Sequence, residues 1–288
     1  ASLALNVRWR TAAVSYLGLG LLTCATLWAV PWPTGGFGPY WAMFLAVDAI
    51  VMVGAAVVLV RLSDRQRGIA WAASLTDSQR HGLSDRDARI EAYRLPLLHV
   101  GEAVAVLALG AGLWTAWHDR AAISLMLAPV VTAVYLTVAW LLLAWAWRSR
   151  ERTWLGSMIA LAGLVHALVW NYPALVQQPW LVALLTHATL AVAAGLVLEL
   201  WTWRRGDEPL GTGLRRVFIE PLGQTALLSS VLVLPLLPFV WDPAASTLSL
   251  ALCLFWLSGV WLVVAWTTRS SAMMAAHPAP AETLKLTM

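Results

Sequence analysis

Asp48 is the residue in this chain whose position most demands a chemical explanation. It lies within an apolar stretch between Trp41 and Arg61, far from either end, and its short side chain cannot reach water from there. An ionisable group at the centre of a membrane-spanning helix costs roughly 2.5–3.5 kcal/mol on insertion scales. A carboxyl kept at that depth points to a proton or cation site, or to a ligand contact. The competing reading is a neutral, hydrogen-bonded carboxyl that fixes the packing of two helices.

Seven other ionisable or amide residues fall inside apolar stretches. His99 and Glu102 stand at i and i+3, one helical turn apart, near the Arg-rich end of their segment. Glu199 and Glu220 stand at a similar depth in two later segments, with Gln224 one turn deeper than Glu220. Together these could form a polar pocket opening to the cytoplasm, with His99 and Glu102 as an inner proton relay for Asp48. The simpler reading pairs Glu199 with Arg204 and Glu220 with Arg216, or lets their side chains reach the headgroups. His166 and His187 lie in the outer halves of two adjacent segments. Two such histidines raise haem ligation, but a bis-His haem needs helices far enough apart to admit the porphyrin, and neighbouring helices pack at about 8–10 Å. Histidines bonded to a neighbouring helix are therefore the expectation, and no cofactor is predicted, with haem on His166 and His187 kept as the alternative.

Other chemistry has little to stand on. GxSxG, HExxH, P-loop and GxGxxG patterns are absent. Asp119, Asp242 and Asn171 are the strong candidates for catalysis in the outward connections, and each reads as a turn cap. Cys24 and Cys253 both lie in apolar segments outside any CxxC or Cys/His cluster, so no metal site and no disulfide is expected.

The elements that carry these residues follow from composition. Of 288 residues, 60% are hydrophobic and 12% charged, about half the charge of a soluble domain. Mean hydropathy is +0.72. Eight segments approach the length of about 20 apolar residues that a bilayer requires: 11–31, 41–60, 96–117, 122–147, 153–170, 180–203, 218–240 and 246–267. The first reads as a spanning helix rather than a cleavable leader. Alternate connections carry the arginines: Arg8 and Arg10; Arg61, Arg65 and Arg67; Arg148, Arg150 and Arg152; Arg204, Arg205, Arg215 and Arg216; and Arg269. The other connections hold only Arg120. The positive-inside rule makes the first set cytoplasmic, with both termini on that side. The net charge of +4 then reflects orientation in the membrane rather than nucleic-acid binding.

The fold class expected is an all-α membrane protein of about eight helices in four sequential hairpins, over 1–269. The signatures AWAWRSR (144–150), LWTWRR (200–205) and VAWTTR (264–269), with turns VPWP (30–33), VWNYP (170–173) and VWDP (240–243), suggest a duplicated two-helix unit. Interfacial chemistry alone would produce much of the same pattern. Most of the 19 tryptophans lie at segment ends, as in Trp28, Trp32, Trp41, Trp114, Trp117, Trp170, Trp180 and Trp241, and form an aromatic belt. Trp140 and Trp256 lie deeper and could line a cofactor or face a partner subunit. In the cytoplasmic loop 61–95, residues 69–75 read as an interfacial stretch. Thr76 with Gln79 and Ser84 with Asp85 and Asp87 read as helix starts, and a short helix leads into the third span at Pro96. Residues 270–288 read as a mobile tail. Pro129, Pro235 and Pro238 could kink their spans, but they do not match across halves as transporter sites do.

The functional expectation is a non-catalytic scaffold or subunit of a larger complex in the bacterial inner membrane, contacting lipid and partner subunits or its own copies. A proton-coupled transporter using Asp48, His99 and Glu102, and a haem-binding electron-transfer subunit, are the alternatives.

Overall fold

A segment in hydrocarbon must satisfy its own backbone, since no solvent there accepts or donates hydrogen bonds. The chain answers with helices. The computed structural model describes residues 12–29, 40–72, 77–118, 127–171, 178–205, 213–237 and 247–276, and no strand occurs among them. The main helices are α1 (Ala12–Ala29), α2 (Tyr40–Ala72), α3 (Asp77–His118), α4 (Leu127–Trp147), α5 (Arg150–Asn171), α6 (Gln178–Arg205), α7 (Glu220–Val233) and α8 (Thr247–Ala276). A π-helical turn, Arg215–Ile219, leads into α7, and a 3₁₀ turn, Leu234–Leu236, follows it. Among the described residues, eight helices are long and apolar enough to cross a membrane. The motifs at 30–33 and 240–243, with Arg8, Arg10, Trp32, Asp119, Arg120, Pro238, Trp241 and Asp242, lie outside the described residues, as do Thr76 and 277–288.

Two expectations about the Arg-rich connections are corrected. The apolar spans of α2 and α3 are Tyr40–Leu59 and Ala92–Thr115, yet α2 runs on to Ala72 and α3 begins at Asp77. Each helix therefore continues about 20 Å past its apolar stretch, at 1.5 Å per residue. Residues 69–72 continue a spanning helix instead of forming a separate interfacial piece. Ser84 lies inside α3 and opens no helix, and Pro96 sits inside α3 rather than at its start. Likewise α8 extends to Ala276, so 270–276 are helical rather than part of a tail. Pro129 falls in the first turn of α4, where no intrahelical acceptor awaits an N–H, so it imposes no kink there.

The chain divides into two units, 1–171 and 172–288. In the first, α2 packs most extensively on α3 and α4 on α5, α2 also packs on α4, and α1 lies chiefly against α3. In the second, α6 packs on α7 and α8 on both. The tightest pairs are thus helices consecutive across the Arg-rich connections, one helix out of phase with the hairpins drawn from the sequence. The fifth and sixth spans, read as one hairpin, belong to different units.

Small residues allow the close approach. Ala46, Ala49, Val53 and Ala56 of α2 meet Ala105 and Ala108 of α3, with Ala139 and Leu143 of α4, in the core of the first unit. Lipid drives no hydrophobic association between helices, so packing of this kind supplies the attraction. A Cβ at Gly101 would lie 2.7 Å from Val53 Cγ2, and one at Gly163 would lie 2.6 Å from Ala133 Cβ.

The α4–α5 connection is two residues long. Arg148 adopts φ 51°, and Ser149 N–H donates to Ala144 O at 3.1 Å, the six-to-one bond of a Schellman ending. Glycine normally takes this left-handed position. A side chain there costs about 1 kcal/mol. Ser149 then caps α5, its Oγ accepting from Arg152 N–H at 3.4 Å.

Candidate functional site

Glu102 is fixed by the start of α5. The Arg152 guanidinium grips its carboxylate in a fork: Nε to Oε1 at 2.9 Å, Nη2 to Oε1 at 2.7 Å and Nη2 to Oε2 at 3.0 Å. The two side chains keep 26% and 25% of their surface, so the pair is partly shielded and carries a short, charge-assisted geometry. The guanidinium also stacks over Trp147, 5.4 Å from the ring centroid. Trp147 in turn stacks on His99, with centroids 5.3 Å apart and 17° between planes. His99 also stacks on Tyr16, 6.0 Å away at 12°, and its Nδ1 is bonded to the Tyr16 hydroxyl. The series Tyr16–His99–Trp147–Arg152–Glu102 joins α1, α3, α4 and α5 at the Arg-rich end of the first unit. His99 and Glu102, one turn apart on α3, therefore reach different neighbours and meet again through Trp147.

Asp48 stands apart from this series. Its carboxyl is directed at Thr23 on α1. Asp48 Oδ2 and Thr23 Oγ1 are both enclosed, and neither has a hydrogen-bond partner among the described residues. Buried polar atoms are nearly always bonded, and Thr23 is the polar neighbour that the fold brings to the Asp48 carboxyl.

In the second unit Glu199 is 1% exposed. Its partner is Arg215, whose Nη2 donates to Glu199 Oε1, rather than Arg204 one turn along its own helix. Arg215 reaches α6 because the π turn turns it there: Glu220 N–H donates to Arg215 O, five residues back, just ahead of Pro221, which has no N–H to give. Glu220 opens α7 half-buried and makes no ion pair among the described residues, and Gln224 is exposed. His187 is 3% exposed, and its Nδ1 shares a proton with Ser229 Oγ of α7 at 2.8 Å. Trp256 of α8 donates to Thr189 of α6, and Trp261 of α8 to Ser230 of α7, both at 2.8 Å. Each pair of helices in this unit thus shares a polar bond.

No protein-family model, curated protein or solved structure matches the chain.

The chemistry of these groups is therefore read from the groups themselves. Among the described residues, no three His, Cys, Asp or Glu side chains come together to hold a metal ion. His166 is half-buried on α5 of the first unit, while His187 belongs to the second and is bonded to Ser229. Trp140 is 5% exposed within the aliphatic core of the first unit, and Trp256 is bonded to Thr189. Tyr16, Thr23, Arg152, Arg215 and Ser229 were not singled out as site residues from the sequence. Arg152 and Arg215 were visible there only as charges marking an end of a span. What set them apart is position: Arg152 lies in the first turn of α5 and Arg215 in the π turn that leads into α7, where a long side chain can fold back along a neighbour.

Proposed function

We propose that the chain is a non-catalytic scaffold or subunit of a larger membrane complex, in a bacterial inner membrane with both termini cytoplasmic. The observation that supports this reading is the use made of its ionisable residues. Glu102, Glu199 and His187 each bind another helix of their own unit, which suits structural ties better than exchangeable sites. The orientation rests on the arginine asymmetry of the connections. Broad apolar faces remain for lipid or partner helices, as on α8, where Phe255 and Leu262 are 77% and 70% exposed. Extraction from its native membrane in a mild detergent is expected to yield a stoichiometric assembly, with partner subunits or with copies of itself. A monodisperse particle of one 31.3 kDa chain would overturn the proposal.

Asp48 favours a second reading, proton-coupled transport. An enclosed carboxyl oxygen on Asp48, with the Thr23 hydroxyl as its polar neighbour, suits a proton carrier at mid-membrane. In proteoliposomes with an imposed pH gradient, this reading expects proton flux that falls at least about tenfold in Asp48→Asn, a rise of roughly 1.4 kcal/mol in the transport barrier. Flux equal in the two proteins sinks it.

A further inference from the structure

We propose that the α4–α5 turn, together with Arg61 of α2, binds the phosphodiester of an anionic phospholipid headgroup. Two arginines at this end of the first unit carry charge that no described carboxylate answers. The Arg61 guanidinium lies over the Trp145 ring, 5.6 Å from its centroid, and its side chain is exposed. Arg148 follows Trp145 by three residues and is exposed as well. The neighbouring charges are already engaged. Arg152 holds Glu102, and Glu151 accepts from Ser149 at 2.8 Å and from Arg150 at 3.4 Å. Among the described residues, Arg61 and Arg148 are thus cations left to a ligand, the first lying over the Trp145 indole and the second three residues after it in the chain, and indoles of this kind settle at headgroup level.

The backbone gives a second, independent indication. Arg148 occupies the left-handed position that ends α4, φ 51°, where glycine would be at ease. A strained residue kept at a turn points to a use for its side chain. A guanidinium offers forked N–H donors matched to two phosphate oxygens, and basic groups between spanning helices on the Arg-rich side meet anionic headgroups.

The test uses the full chain in detergent, titrated with short-chain phosphatidylglycerol. Phosphatidylcholine of the same chains and inorganic phosphate serve as the other arms. Bound lipid is read by native mass spectrometry, and the unfolding midpoint by thermal shift. Phosphatidylglycerol is expected to bind and raise the midpoint, with affinity falling about fivefold for each arginine removed in Arg61→Gln and Arg148→Gly. Arg148→Gly also relieves the turn, so without lipid its midpoint should rise while its response to phosphatidylglycerol shrinks. Arg148→Lys should retain most of the binding. Equal binding by wild type and the double variant overturns the site. Equal responses to phosphatidylcholine, or a full response to phosphate alone, overturn the headgroup assignment.

Discussion

Arg215→Met is expected to destabilise the second unit by about 3–5 kcal/mol, the usual cost of breaking a buried ion pair from one side. The Glu199 carboxyl is 1% exposed and would lose the counter-charge that makes its burial tolerable. The loss should appear as a fall in unfolding midpoint in detergent and as proteolysis between α6 and α7. The double variant Glu199→Leu/Arg215→Met removes both charges and should recover most of the stability, because a buried pair contributes little against apolar side chains of similar volume. If the single variant unfolds at the wild-type midpoint, the pair does not hold α6 to the π turn.

Gly163→Ala is expected to cost about 1–3 kcal/mol, the range for overpacking a close-packed interior. The added methyl would lie 2.6 Å from Ala133 Cβ, an atom fixed by the α4 backbone that no rotamer can withdraw. The helices must part or slide, which also disturbs Gly156, where an added Cβ would meet Trp140 Cβ at 3.3 Å. Ala133→Gly in the same chain should restore the wild-type midpoint, and failure to do so would show that the contact is not the cause. Gly101→Ala offers a contrast. Its nearest neighbour is Val53 Cγ2 at 2.7 Å, the end of a side chain, so Val53→Ala should relieve it without a change of backbone.

The spanning segments were legible because their signal is bulk hydropathy summed over about 20 residues, which no single contact overrides. Eight helices among the described residues are long and apolar enough to cross a membrane, the number read from hydropathy. Their continuation was not legible. Residues 60–72 mix Arg61, Asp64, Arg65 and Gln66 with Leu62 and Ile69, and polarity at a bilayer surface is the same whether a helix stops or runs on into water. The phase of the hairpins was missed for a related reason. Trp and Arg signatures report depth in the membrane, whereas helix pairing depends on small residues such as Gly101 and Gly163, whose partners lie on other segments. At the candidate sites the acidic and histidine members stood out by burial cost, as Asp48, Glu102, Glu199 and His187 did. Their partners did not, because an arginine near a headgroup or a serine in a helix is unremarkable until the fold shows what it faces. Nearest-neighbour reasoning paired Glu199 with Arg204 along one helix, and the contact crosses to Arg215 instead.

The π turn at Arg215–Ile219 bears on how that contact could have arisen. An i→i+5 ring holds one residue more than an α-helical turn, so everything ahead of it is rotated by about 100° relative to an unbroken helix, at 3.6 residues per turn. The surplus residue acts as a phase shift: it turns Arg215 toward α6 while leaving the face of α7 that carries Ser229 and Ser230 in register with α6 and α8. A single inserted codon would suffice to create such a shift, and a single lost one would erase it. The electrostatic partnership of this unit is therefore written in the count of residues between Leu214 and Pro221 as much as in their identities.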